Sequence, residues 1–117
     1  MNYEVPYQFV LKELYPFRPT IRKMFGCYAL MENNKLLMLL RDKETQLEFN
    51  GVLVATIPEY FDELQKEIHI SRMKFDLDGA DNTWIFISED LDDFEQKVKK
   101  ACEMIKNGDA RLGKLVK

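Results

Sequence analysis

Apolar residues recur along this chain with two different periods, and the change from one to the other marks out its elements. Tyr7, Val10, Leu11 and Leu14 fall on one face at helical spacing. Pro6 suits a first turn, while Pro16 and Pro19 cannot continue a helix, so a helix is predicted over Val5 to Tyr15. Ile21 to Glu32 then reads as one long strand, with Met24, Tyr28 and Leu30 on one face. Phe25, Cys27, Ala29 and Met31 take the other. Glu32-Asn33-Asn34-Lys35 is a turn signal, because Asn accepts positive φ and bonds its own backbone. Leu36 to Leu40 is apolar throughout, as in a strand covered on both sides, and the short turn before it predicts an antiparallel hairpin.

A polar loop, Asp42 to Asn50, leads to a third strand over Val52 to Ala55, opened by Gly51. Thr56-Ile57-Pro58-Glu59 has a capping threonine, a first-turn proline and a glutamate at the capping-box position. The stripe Ile57, Tyr60, Phe61, Leu64 and Ile68 predicts a second helix there. Met73, Phe75 and Leu77 alternate with Arg72, Lys74 and Asp76, a half-exposed strand, before the loop Asp78 to Asn82. Thr83 to Ser88 reads as a fifth strand. Ser88 or Asp90 then caps a last helix whose stripe is Leu91, Phe94, Val98, Ala101, Cys102 and Ile105, and Gly108 ends it.

The order is α-β-β-β-α-β-β-α, which predicts an α+β fold: a mainly antiparallel five-stranded sheet with helices packed on one face. At 117 residues the whole chain, 1–117, is expected to be a single domain with its core over about 5–108. The tail 109–117 is either disordered or docked through Leu112, Leu115 and Val116.

Composition narrows the function classes. The formal net charge is −3 with acids and bases interspersed, which argues against a phosphate-driven nucleic-acid binder. The start, MNYEVPYQF, lacks the basic and apolar regions of a signal peptide, and no stretch approaches a membrane span, so a cytoplasmic location is expected. Cys27 and Cys102 are the only cysteines and His69 the only histidine, too few for a metal framework, and structural thiols are expected. No metal or other cofactor is implied.

Arg22-Lys23-Met24-Phe25-Gly26 resembles the R-x-MFGG-x-G opening of TfoX N-terminal-like domains, whose fold is similar to the secretion-chaperone-like and MmcQ/YjbR-like α+β domains. Met24, Phe25 and Gly26 match strictly; Cys27 stands at the second glycine, and Ala29-Leu30 where a Gly-Leu pair is usual. The resemblance runs over about residues 5–108 and implies the element order just derived. Full TfoX proteins regulate competence for DNA uptake and carry a further helical domain. Nothing here corresponds to that domain, so the resemblance implies a stand-alone member without an assigned activity.

Each candidate chemistry has a plainer reading beside it. Gly26 interrupts an apolar strand, and close packing of the first helix against its backbone is the expected reason, with Cys27 a small hydrophobe among Phe25, Ala29 and Met31. A Cys–His nucleophile would need His69 near a thiol, and Cys102 lies on a buried stripe. Glu89, Asp90, Asp92, Asp93 and Glu95 read as a solvated helix start. Asp76-x-Asp78-Gly79-x-Asp81 resembles part of a calcium loop without its later glutamate. Arg18, Arg22, Lys23, Arg41 and Lys43 are a candidate anion or nucleic-acid patch, with Tyr15, Phe17 and Phe49 as aromatic neighbours and Asn50 a further polar group. The leading expectation is a non-catalytic binding module. Its sheet is expected to carry more apolar surface than three short helices cover, so that a homodimer or a protein partner supplies a second layer.

Overall fold

The computed structural model describes residues 5–70 and 83–116. Its elements are α1 (Phe9–Leu14), β1 (Thr20–Met24), β2 (Cys27–Glu32), β3 (Lys35–Arg41), β4 (Gly51–Ala55), α2 (Pro58–Ile68), β5 (Trp84–Ser88), α3 (Phe94–Lys106) and β6 (Lys114–Leu115), with a 3-10 turn at Leu47–Phe49. Strands β1 to β5 form an antiparallel meander in chain order. The architecture is α+β with the helices on one face. The strand and loop expected over Met73 to Asn82, including the calcium-like acids, lie outside the described residues.

The long strand expected over Ile21 to Glu32 is in fact two strands. Met24 pairs with Cys27, and the two residues between them, Phe25 at φ +56 and Gly26 at φ +72, make the tight turn. Two consecutive positive φ values are the type I′ geometry, whose twist matches that of the flanking strands. An unbroken apolar run concealed this turn, since the usual Asn-Gly is replaced by Phe-Gly. The turn also resets the alternation. Met24 packs with its cross-strand partner Cys27, on the face opposite to that of Tyr28 and Leu30.

One irregularity lets β3 bury its whole apolar run. Leu30 pairs with Met38 but Met31 pairs with Leu36, so Leu37 is an extra residue in a bulge. Leu36 and Leu39 therefore share one face while Met38 and Leu40 share the other. On the first face, Leu30, Met38, Leu40, Val52, Val54, Ile85 and Ile87 meet Val10 and Leu14 of α1, Phe61, Leu64 and Ile68 of α2, and Phe94, Val98, Ala101 and Cys102 of α3. Helix α1 begins later than expected: Tyr7 has φ +55 and its ring lies edge-on to Phe94, centroids 5.4 Å apart. In α3 the stripe shifts slightly, with Met104 buried and Leu91 exposed.

The second face carries Cys27, Ala29, Met31, Leu36, Leu39, Leu53, Ala55, Trp84 and Phe86, and each of these is buried within the single chain. This corrects the expectation of a bare apolar face. The sheet is apolar on both faces, and both are buried.

Helix ends show further local corrections. Thr56 does not cap α2; its hydroxyl donates to the Arg111 carbonyl at 2.7 Å, tying the C-terminal segment to the helix entry. Neither Ser88 nor Asp90 caps α3, which starts after Asp93; the Ser88 hydroxyl instead accepts the Asp90 N–H at 3.1 Å. Gly108 ends α3 as expected: its N–H reaches the Ile105 carbonyl and the Asp109 N–H the Met104 carbonyl, both at 3.0 Å. The tail then docks. Leu112 is buried, the Gly113 N–H donates to the Ala55 carbonyl at 2.6 Å, and β6 pairs with Lys35 and Leu36 of β3 just beyond the end of β4. No helix among the described residues is long and apolar enough to cross a membrane.

Candidate functional site

The β1–β2 turn and the loop over residues 42–50 come together at one end of the sheet. Arg41 is buried at the end of β3, and its guanidinium is spent on holding the loop. Nη1 donates to Asn50 Oδ1 at 2.6 Å and to the Gln46 carbonyl at 3.1 Å, and Nη2 to the Thr45 carbonyl at 3.2 Å. Asn50, also buried, completes the unit. Its Oδ1 accepts the Lys43 N–H at 2.9 Å and its Nδ2 donates to the Lys43 carbonyl, also at 2.9 Å. Every side-chain nitrogen and oxygen buried here has a partner, as burial in a low-dielectric interior requires.

With its backbone fixed this way, Lys43 reaches across to the turn, where its ammonium donates to the Phe25 carbonyl at 3.2 Å. Gly26 is required by its φ of +72 in the turn; a Cβ there would also stand 2.7 Å from Lys43 Nζ, a flexible side-chain end that could shift, so the close neighbour is the loop's lysine rather than the first helix. Phe25 itself projects from the tip and is 49% exposed.

The five basic residues proposed from sequence do not gather. Arg41 is internal and Lys43 is bonded to the turn. Arg22 and Lys23 are adjacent in β1 and so lie on opposite faces of the sheet: Arg22 Nη1 rests 4.0 Å from Met31 Sδ, and Lys23 Nζ sits 5.2 Å from the Tyr28 ring centre. Arg18 stacks on Tyr15 at 5.6 Å. Arg41 and Asn50 do converge, but on each other and without Arg22. An anion would have to displace the loop's own hydrogen bonds.

Both thiols are buried. Cys27 is packed in the second-face cluster with Ala29 and Met31, and burial pushes its pKa up against the opposing pull of Lys43 and Arg41. Cys102 lies in the helical core, where burial and then the Glu13 carboxylate push it up to about 12. His69 is the left-handed terminal residue of α2, at φ +63, with its carbonyl accepting from Lys97 Nζ at 2.8 Å. It borders an open cleft of about 290 Å³ between the end of α2 and the start of α3, with Asp93, Gln96, Lys97 and Lys100. Asp93 and Lys97 pair there at 3.1 Å. Among the described residues no group of three or more His, Cys, Asp or Glu is arranged to hold a metal ion.

Sequence reasoning missed one further constellation. The Tyr7 hydroxyl lies 2.9 Å from the Arg41 carbonyl and 2.8 Å from Glu89 Oε1, joining the N-terminal segment, β3 and the β5–α3 turn. Burial and then the hydrogen bond to Glu89 raise its pKa, so the proton stays in place. Only the folded backbone brings these three segments together, and no local signal marks them.

The fold is an α+β domain with a braced hairpin tip exposed at one end of its sheet. No protein-family model, curated protein or solved structure matches the chain.

Proposed function

We propose that this domain is a non-catalytic binding module that meets its partner with the β1–β2 hairpin. One observation carries the reading: Phe25 is an exposed aromatic held in a left-handed conformation. Such a conformation costs a residue other than glycine about 1–2 kcal/mol, whereas Asn accepts it readily at this turn position. An aromatic side chain that strains the backbone and half faces water is better explained by contact with a partner than by folding. Its brace, the Lys43 ammonium on the Phe25 carbonyl, reduces the ordering cost of binding.

The burial of both thiols and the helix-terminating role of His69 support a binding role over nucleophilic chemistry. Met24, Phe25 and Gly26 are also the residues that resemble the TfoX N-terminal-like family, so membership of that family is part of the proposal and brings no activity with it. Self-association was expected because a bare face needed cover. The burial of that face removes this argument for a homodimer.

The test is the stability of Phe25→Asn. If Phe25 is present for contact, the variant unfolds at higher urea concentration, with a gain of about 0.5–1 kcal/mol. A loss of stability would show that Phe25 serves the fold, and would remove the reading.

A further inference from the structure

We propose that the outer edge of β1 receives an extended acidic segment of another protein, added to the sheet as a further strand. The inference rests on the binding-module reading above and names the class of partner.

The backbone geometry comes first. Met24 and Cys27 close a two-residue turn and are therefore a hydrogen-bonded pair. Alternation then makes Arg22–Ala29 and Thr20–Met31 hydrogen-bonded pairs as well. Residues 20, 22 and 24 thus spend their N–H and C=O groups on β2. Those of Ile21 and Lys23 point away from the sheet, where no strand among the described residues pairs with β1. A row of such groups is a template for strand addition.

Proteins often shield an edge with long cationic side chains, but these two are turned inward. Arg22 lies back over Met31 and Lys23 over Tyr28, both residues of β2, on opposite faces. The backbone edge is left open between two positive charges. Thr20, Arg22 and Lys23 are exposed and Arg18 precedes them.

Charge then selects the occupant. Two copies of β1 paired antiparallel about a two-fold axis bring Arg22 opposite Arg22, or Lys23 opposite Lys23, or set Arg22 against Thr20 with the cations still crowded. A second copy is thus disfavoured. A strand with adjacent Asp or Glu residues, one projecting to each face, meets both cations and bonds to Ile21 and Lys23. The same charges that repel self-pairing favour this partner.

The probe is a synthetic peptide of alternating Thr and Val with a pair of adjacent glutamates at its centre, titrated into the isotope-labelled full chain at low salt. Amide shifts centred on Ile21 and Lys23 are expected. Lys23→Gln removes the charge; Lys23→Pro removes the charge and the outward N–H while leaving the inward ladder intact. Strand addition requires the proline variant to bind about tenfold more weakly than the glutamine variant. Should Lys23→Pro disturb the hairpin, the same peptide methylated on its central backbone nitrogens decides, since it keeps the charge and loses the ladder. Loss of binding by the methylated peptide supports the inference. Equal binding, no binding at all, or binding matched by oligothymidylate overturns it, the last by showing that only negative charge is read. Shifts confined to Phe25 and Lys43 would overturn strand addition while leaving the binding-module reading intact; that reading falls separately, on the stability of Phe25→Asn.

Discussion

Asn50 shows how much a single side chain contributes here. It accepts from a buried guanidinium and from the Lys43 N–H, and it donates to the Lys43 carbonyl. Asn50→Ala leaves these groups buried with fewer partners, so a loss of about 2–3 kcal/mol is expected in urea unfolding. The hairpin brace should loosen with it, seen as faster exchange of the Phe25 and Gly26 amides. Cys102 gives a pH prediction whose sign follows from its burial. Folding raises its pKa from 9.0 to about 12. Its contribution is complete below about pH 9 and is lost as the pH climbs from there toward 12, because the unfolded chain releases the proton first. Stability measured at about pH 8 and at about pH 10.5 should fall by an additional ~2 kcal/mol in the native chain compared with Cys102→Ala.

The last element shows how a short strand can matter more than its length suggests. The β6 segment adds only a brief ladder to β3, but it seats Leu112, which is 1% exposed, against the helical core. Arg111 holds the approach: it forms a two-pronged pair with Asp109, at 3.0 and 2.7 Å, and reaches Glu63 at 3.2 Å. Leu112→Ala should cost about 2–4 kcal/mol through the cavity it leaves. Leu115, two residues beyond Gly113 and 81% exposed, should change stability by less than about 0.5 kcal/mol when replaced by Ala. Thermal unfolding of the two variants side by side checks the docking of the tail.

For the molecule as a whole, the burial of the second sheet face decides what surface is left for partners. Among the described residues the exposed large apolar side chains are Tyr15, Phe25, Leu47, Leu91 and Leu115, which lie apart in the sequence. Isolated apolar residues are normal on a monomer and do not by themselves call for a second subunit. Light scattering at tens of micromolar should therefore return the mass of one chain. A dimer mass would restore self-association as the function and direct attention to the hairpin as its interface.

Much of the architecture could be read from periodicity. The positions of β3, β4, β5, α2 and α3, the α+β class and the glycine end of α3 follow from local patterns that each element satisfies within a few residues. The first hairpin could not be read that way. A run from Met24 to Met31 without a polar residue carries no turn signal, and one positive-φ aromatic beside a glycine reverses the chain. The candidate patch is realised only in part, with Arg18, Arg22 and Lys23 exposed and Arg41 internal, for a related reason: charge type is visible along the chain, but whether an arginine faces water or a loop's carbonyls is settled by distant residues such as Asn50.

Local chemistry, then, was enough to say where the chain is helical, where it is extended, and that the sheet is apolar on both sides. Which residues turn, which cations are spent internally, and which edge of β1 is unpaired among the described residues were decided by packing. These depend on groups far apart in sequence competing for the same hydrogen bonds and the same volume, and no pattern along the chain records the outcome of that competition.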